Sequence, residues 1–351
     1  MKNTTTHTFD VLLKTFLKWI GVCVAVCIIG CDGTTDTPAK PDFTAVPQGF
    51  PALIGPAHNP ITEEKFELGR QLFYDTKLSK DNSISCGSCH RQEAAFADAG
   101  KVVSHGVGNE GGFRNSPGIA NSAYVQPLFW DGRAATIEEQ ALGAMTSPAE
   151  MYADTNVVNE RLKSDENYKT LFKNVFKSEP NTDLAMKAVA TFVRMLISGE
   201  SRFDAFKRGN SAVYNESEKR GHKLFFSERA KCASCHEGFN FTDNDFHSVG
   251  LHTHYADRGR YMVTNQGSDI GKFKTPSLRN VALTAPYMND GFLTTLEDVV
   301  RHYNSGGKAF VNKDTLLKPL NLSVQEQADL VAFLKTLTDE NFVKNPLFKK
   351  P

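Results

Sequence analysis

Two pentapeptides carry the most specific chemistry in this 351-residue sequence. Cys86-Gly87-Ser88-Cys89-His90 and Cys232-Ala233-Ser234-Cys235-His236 both spell Cys-x-x-Cys-His. Two thiols on one turn can add across the two vinyl groups of a haem. The adjacent histidine then lies beneath the iron as its proximal ligand. One such motif alone would also suit half of a zinc site, which pairs one Cys-x-x-Cys with another. Here the motifs start 146 residues apart (232 minus 86), and each brings its own histidine. Two covalently bound c-type haems are therefore expected. A redox-active disulfide is disfavoured, because neither motif sits in a βαβ pattern.

The surroundings of the two motifs repeat. Glu67-Leu68-Gly69-Arg70-Gln71-Leu72-Phe73 precedes the first, and Lys219-Arg220-Gly221-His222-Lys223-Leu224-Phe225 precedes the second. Both have apolar residues at helical spacing, and Asn215 with Glu218 suits a capping box for the second helix. Beyond the motifs the register is tighter. Pro117, Asn121, Pro127, Asp131-Gly132 and Thr136-Ile137-Glu138 recur as Pro276, Asn280, Pro286, Asp290-Gly291 and Thr295-Leu296-Glu297, each offset by 159 residues (276 minus 117). Such self-similarity predicts two similar domains facing each other. Leu184, Ala188, Phe192 and Met195 mark one face of a helix closing the first. Ser323 and Glu326 cap a last helix bearing Leu330, Phe333, Leu334 and Leu337, which suits the C-terminal helix of a cytochrome c. No set of alternating strands is evident, so the expected class is all-α, with two tandem cytochrome c-like domains.

The remaining cysteines, Cys23, Cys27 and Cys31, lie near the N-terminus, so none is left for a structural disulfide. Lys2, Lys14 and Lys18 precede an uncharged apolar run from Trp19 to Gly30. That run is short for a bilayer span and suits an export signal. It ends in Ile28-Ile29-Gly30-Cys31, which resembles a bacterial lipoprotein cleavage box with Cys31 as the lipid-bearing residue. The alternative is an uncleaved anchor helix. Both put the body outside the cytoplasm, in the periplasm or an equivalent space, where bacteria attach c-type haem. Asp32 after Cys31 hints at the inner membrane. The expected plan is a signal over 1–30, a Thr- and Pro-rich tether over 31–51, an N-terminal domain over 52–205 and a C-terminal domain over 206–351. With Lys plus Arg and Asp plus Glu at 40 each, the chain lacks the basic excess that nucleic acid demands of a main partner.

Over about residues 45–340 the sequence resembles the bacterial di-haem cytochrome c peroxidases, including their MauG-like branch. The likeness is carried by Phe113-Arg114-Asn115-Ser116-Pro117, Phe129-Trp130-Asp131-Gly132-Arg133, Glu138-Glu139-Gln140-Ala141, Pro148-Ala149-Glu150-Met151 and Phe273-Lys274-Thr275-Pro276-Ser277-Leu278-Arg279-Asn280. The resemblance implies that the His90 haem meets hydrogen peroxide and the His236 haem relays electrons from a small donor protein, a cytochrome c or a cupredoxin. It implies that Glu150 shuttles a proton, that Gln140 orients peroxide, and that Trp130 lies between the haems. Counting from Tyr287 to Gly291, the distal ligand position of the second haem falls on Tyr303, as in the MauG-like branch; Met288 and His302 remain alternatives. His105 lies in the loop where some members hold a histidine over the first iron. It stands nine residues before Arg114, two more than in that pattern, so an open or water-bound iron is the preferred expectation. A calcium ion between the domains would use the Asn115 side chain and the carbonyls of Thr284 and Pro286. One departure is Asn289, where the family usually has histidine, so no step that needs a titrating group there carries over. A homodimer is compatible with the resemblance.

Three functions follow as expectations. The first is reduction of hydrogen peroxide to water with electrons from the donor. The second is oxidation of a partner protein's residues through high-valent di-haem iron, as in the MauG-like branch. The third is a non-catalytic di-haem electron carrier, against which Gln140 and Glu150 argue.

Overall fold

The computed structural model describes residues 44–351. The signal, Cys31 and most of the expected tether fall outside the described residues. Among the described residues, eight helices of ten or more residues make up most of the regular structure. They are α1 (Glu63–Tyr74), α2 (Ile137–Thr146), α3 (Thr155–Ser164), α4 (Glu166–Phe176), α5 (Thr182–Arg194), α6 (Glu216–Phe225), α7 (Leu296–Ser305) and α8 (Val324–Lys335). The only strand pairing among the described residues is a two-residue antiparallel ladder, β1 (Phe246–His247) with β2 (Phe273–Lys274). The chain is thus mostly helix and loop, as expected.

Capping side chains fix the helix starts by accepting otherwise unpaired N–H groups. Thr62 caps α1, Thr136 caps α2 and Thr295 caps α7. The boxes Asn215/Glu218 and Ser323/Glu326 cap α6 and α8, as their spacing predicts. The apolar faces then build two cores. One gathers Phe66, Leu72 and Phe73 of α1 with Ala188, Val189 and Phe192 of α5; the rings of Phe73 and Phe192 lie 5.0 Å apart. The other gathers Phe225 of α6 with Leu330, Phe333 and Leu334 of α8.

Each core depends on a close crossing of two helices. A Cβ on Gly69 would run into the Ala188 carbonyl, and a Cβ on Gly221 into that of Asp329. Glycine is therefore required at both places by contact with backbone, which cannot swing aside. These are the glycines of the two repeated segments that precede the Cys-x-x-Cys-His motifs.

The repeat is also visible in the backbone. Asn121 and Asn280 are left-handed, at φ 59° and 61°. So are Phe129 and Met288, and Gly132 and Gly291. The Gln126–Pro127 and Ala285–Pro286 peptides are both cis. Isolated bridges join Leu128 to Ala134 and Tyr287 to Leu293. Helices α2 and α7 start 159 residues apart (296 minus 137) and have ten residues each.

Two segments pack differently from the sequence plan. Phe50, in the stretch expected as tether, sits 4.7 Å from the Phe239 ring, with the Arg279 guanidinium 4.8 Å from its own ring. The C-terminal residues return to the first core rather than staying with the second. Phe342 and Phe348 are buried there, and Tyr74 donates to the Phe348 carbonyl at 2.7 Å.

Filling either crossing tests this packing. Gly221→Ala in haem-loaded protein is expected to cost about 1–3 kcal/mol of stability, the usual range for overpacking. Thermal unfolding measures it, and an unchanged midpoint would show that the crossing tolerates a side chain.

Candidate active site

A cavity of about 450 Å³ lies between the two cores and is lined by His90, His236, Cys232 and Cys235. That is the scale of a large organic group rather than of a few waters. The Cys86–Cys89 turn leads directly into His90. Each imidazole is held the same way. Nδ1 of His90 faces the Phe96 carbonyl at 2.7 Å, and Nδ1 of His236 faces the Phe241 carbonyl at 3.0 Å. A carbonyl partner takes the proton of Nδ1 and leaves the Nε2 lone pair for a metal. Burial lowers the pKa of both rings, so both are neutral, as a ligand must be.

Burial pushes the Cys86 and Cys232 thiols up to about 12. Redox-active cysteines need the opposite, so disulfide exchange does not suit either motif. Nor do the motifs join into one four-thiol site. Among the described residues, the one converging metal-capable trio is Cys235, Asp243 and His247, with ligand atoms within 4.8 Å. His247 is pushed up to about 10, first by Cys235 and then, against burial, by Asp314. A thioether at Cys235 would remove the first contribution. The carboxylates of Asp314, at 2.6 Å, and Asp243, at 3.0 Å, would remain on the ring. The residues present therefore fit a haem attached at each motif.

The repeat makes the two distal faces comparable. Gln140 of α2 corresponds to Val299 of α7 (140 plus 159), and Ala144 corresponds to Tyr303 (144 plus 159). Gln140, Glu150, Val299, Val300 and Tyr303 all line the cavity with His90 and His236; Glu150 stands near enough to Cys86 and Cys89 to raise their pKa, and Tyr303 near enough to Cys235 and Cys232 to be raised by them. One face is polar, and its helix has alanine where the other has a phenol. Burial raises the pKa of Glu150, while Arg133 and Ser147 pull it down. Its proton is thus held more tightly than that of a solvated glutamate. Tyr303 is half-buried, and desolvation first, then Cys235 and Cys232, push its pKa up. Such a phenol would release its proton only to a strong positive centre. His302 turns away, with Nε2 2.9 Å from the Val249 carbonyl, while Met288 does line the cavity.

His105, a candidate for the first iron, does not line the cavity. Its ring faces the Asn109 carbonyl of its own loop at 3.4 Å. The loop is tied to the Glu150 backbone: Val107 N–H donates to the Glu150 carbonyl at 2.9 Å, and a Cβ on Gly106 would strike that carbonyl. Trp130 lies at the junction of the halves. Its indole N–H donates to the Asn115 carbonyl at 2.9 Å, and its own carbonyl accepts from Lys274 N–H at 2.9 Å. Asn115, Thr284, Pro286 and Asn289 also line the cavity. The Asn115 amide nitrogen donates to the carbonyls of Lys101 and Val102. Among the described residues no donor reaches the carbonyls of Thr284 or Pro286, so they offer hard oxygens to a cation.

Sequence reasoning left several cavity groups unassigned. Arg133 stacks 3.4 Å from the Phe129 ring and pairs with Asp131. Arg114 bridges Asp131 and Asp257 across the junction, at 2.6 Å to each. Lys274 is buried with its ammonium on two carbonyls, Asn244 at 3.0 Å and Gln126 at 3.3 Å. Burial brings its pKa down to about 8. Arg114, Arg133 and Lys274 all stand in segments singled out by resemblance; the partners of Arg133 are local, but Asp257 for Arg114 and both carbonyls for Lys274 are distant in sequence.

Residues 63–212 match the di-haem cytochrome c peroxidase family. A methylamine utilization protein MauG from Methylorubrum extorquens is 38% identical over 323 residues, covering 90% of this chain and 91% of that protein. A cytochrome-c peroxidase, IdrP1, from a Pseudomonas species is 37% identical, covering 82% and 84%. The crystal structure of a MauG-like protein associated with microbial copper homeostasis superposes with a TM-score of 0.84 at 37% identity. The match covers 87% of this chain and 98% of that one.

Removing the phenol tests the second face. In protein carrying both haems, Tyr303→Phe is expected to raise the lower midpoint potential by on the order of 100 mV, since axial ligands tune haem over about 0.8 V. Spectroelectrochemistry reads it, and an unchanged potential would remove Tyr303 from the ligand sphere.

Proposed function

Because the chain belongs to the di-haem cytochrome c peroxidase family, as the 38% identity over 90% of its length establishes, we propose that it reduces hydrogen peroxide to water with electrons taken singly from a small donor protein. The balance is one H₂O₂, two electrons and two protons giving two waters. The observation that carries this reading is the difference between the repeat-related halves: Gln140 stands where the other half has Val299, and Glu150 acts on Cys86 and Cys89 while Tyr303 is acted on by Cys235 and Cys232.

The haems, one on Cys86, Cys89 and His90 and one on Cys232, Cys235 and His236, supply the iron at which the O–O bond breaks and the route for electrons. The side chains do the rest. Gln140 orients peroxide by hydrogen bonding. Glu150 as carboxylate accepts the proton of the near oxygen and returns it to the far one, which leaves as water. Trp130, hydrogen-bonded at the junction, gives electrons an aromatic step between the halves. Tyr303 holds the second site closed to peroxide. The Asn115 side chain and the Thr284 and Pro286 carbonyls hold one calcium ion, with waters completing its shell. The body works outside the cytoplasm, tied to a membrane by lipid on Cys31.

A second reading has one observation in its favour. The phenol of Tyr303 is suited to stabilise oxidised iron, and relatives named MauG are as similar as those named peroxidase. In that reading the oxidising power passes to residues of a partner protein. An oxidised spectrum that persists after peroxide is added without donor would favour it; prompt return to the resting spectrum on adding reduced cytochrome c favours the first.

Glu150→Gln tests the leading function. Peroxide turnover with reduced cytochrome c is expected to fall about 10²–10⁴-fold, the usual worth of a positioned acid–base group. The wild-type pH profile carries a further sign. Glu150 must be ionised to accept the first proton, and its pKa is raised. The rate should therefore rise with pH through a midpoint above ~4.3, the ordinary glutamate value. That limb should vanish in Glu150→Gln. Full turnover in the variant would rule out Glu150 as the shuttle.

A further inference from the structure

The turn that carries Arg133 is built twice. Asn115 and Lys274 stand 159 residues apart (274 minus 115), as do Trp130 and Asn289 (289 minus 130). Asn115 N–H donates to the Asn289 carbonyl at 2.8 Å, and Lys274 N–H donates to the Trp130 carbonyl at 2.9 Å, so the register of the repeat holds here in reciprocal backbone bonds. Three residues past Trp130 and Asn289 stand Arg133 and Phe292 (133 plus 159). Arg133 N–H donates to an Asp131 carboxylate oxygen at 3.2 Å, and Phe292 N–H to one of Asp290 at 3.1 Å. The Leu128–Ala134 and Tyr287–Leu293 bridges close both turns alike. The backbone is thus the same whether arginine or phenylalanine stands there. Nor does a core need the Arg133 side chain, which is 45% exposed. Its charge is not a requirement of the fold.

The guanidinium is nevertheless fixed in place. It stacks on the Phe129 ring, and its Nη1 meets both Asp131 oxygens, at 3.0 and 3.1 Å. The Phe129 ring in turn lies against α2, where a Cβ on Gly143 would stand 3.4 Å from its tip. Gln140 is three residues before Gly143, on the same face of that helix. The Gly143 carbonyl takes the Ser147 N–H at 3.0 Å, and the Ser147 carbonyl takes the Glu150 N–H at 3.0 Å. A continuous run of contacts therefore leads from Arg133 to Gln140 and Glu150, and all of Phe129, Arg133, Gln140 and Glu150 line the cavity. The segments packed against Glu150 also carry Lys80, Cys86, Cys89, His105 and Glu110. Lys80 sets its ammonium over the Tyr152 ring, at 4.0 Å, and His105 faces its own loop. Both cysteines would be uncharged as thioethers. Of the charges around Glu150, Arg133 is the one that pulls against burial on its proton.

We propose that Arg133 is a positioning residue for peroxide reduction: a fixed positive charge, held by Phe129 and Asp131, that keeps the Glu150 carboxylate ionised and ready for the first proton of hydrogen peroxide. In that step one proton passes from the near peroxide oxygen to Glu150, which becomes the neutral acid and leaves hydroperoxide anion; Arg133 keeps its protons throughout. This rests on the reading of Glu150 as the shuttle and adds to it the group that sets its working range. The second half, with Phe292 at the corresponding place, has no such charge.

The test follows peroxide turnover against pH in protein carrying both haems, with reduced cytochrome c as donor. Arg133→Gln is expected to move the rising limb of the profile to higher pH. Turnover on its acid side should then fall about tenfold, the order of effect of one lost neighbouring charge, while the plateau above the limb is kept. Arg133→Lys, which restores a charge, should bring the limb back toward its wild-type place. Arg133→Phe, the residue of the counterpart turn, should behave as Arg133→Gln does, and it decides the matter if the glutamine variant fails to fold. An unmoved limb, or an equal loss at every pH, overturns the proposal; if Glu150→Gln is still inactive, the shuttle reading stands. Full turnover by Glu150→Gln overturns that reading and the proposal with it.

Discussion

One hydrogen bond on each of two imidazoles sets the conditions for everything else in this protein. Nδ1 of His90 and of His236 is tied to a carbonyl a few residues downstream, in a buried loop. That bond fixes the ring's orientation and tautomer and presents the other nitrogen to the cavity. The carbonyls in turn belong to Phe96 and Phe241, which are fully buried in the first and second cores. Those cores close only because α1 meets α5, and α6 meets α8, at a glycine. Ligand geometry is thus delegated to packing, twice, by the same means.

A duplicated scaffold would by itself give two equal sites. Inequality enters through a few side chains on an unchanged backbone. Helices α2 and α7 begin at corresponding residues and have one length, but one carries Gln140 and Ala144 and the other Val299 and Tyr303. The junction works likewise: its reciprocal backbone bonds are conserved between the halves, while Asn115 faces Lys274 as its counterpart. Placing chemistry on side chains and architecture on backbone lets two halves of one plan present unlike groups to the same cavity.

Much of this was legible in the sequence, for physical reasons that differ by feature. The Cys-x-x-Cys-His turns, the capping boxes and the apolar spacing of α5 and α8 are local, so they read directly. The repeat is long-range but announces itself through a constant offset. What stayed hidden depends on groups brought together from afar. Nothing local says that Phe342 and Phe348 fold back onto the first core, or that Phe50 packs against Phe239 and Arg279. Nothing local places Gly106, beside His105, against the Glu150 carbonyl. Lys274 stood inside a recognised stretch, yet its meaning needed the Gln126 carbonyl, 148 residues away in sequence.

The central claim is that two irons held alike on the proximal side meet unlike surroundings on the other. Low-temperature electron paramagnetic resonance of the resting, fully oxidised protein with two bound haems tests it most directly. Two ferric signals of equal weight are expected, one high-spin from the site beside Gln140 and Glu150 and one low-spin from the site beside Tyr303. A single ligand environment shared by both irons would contradict it.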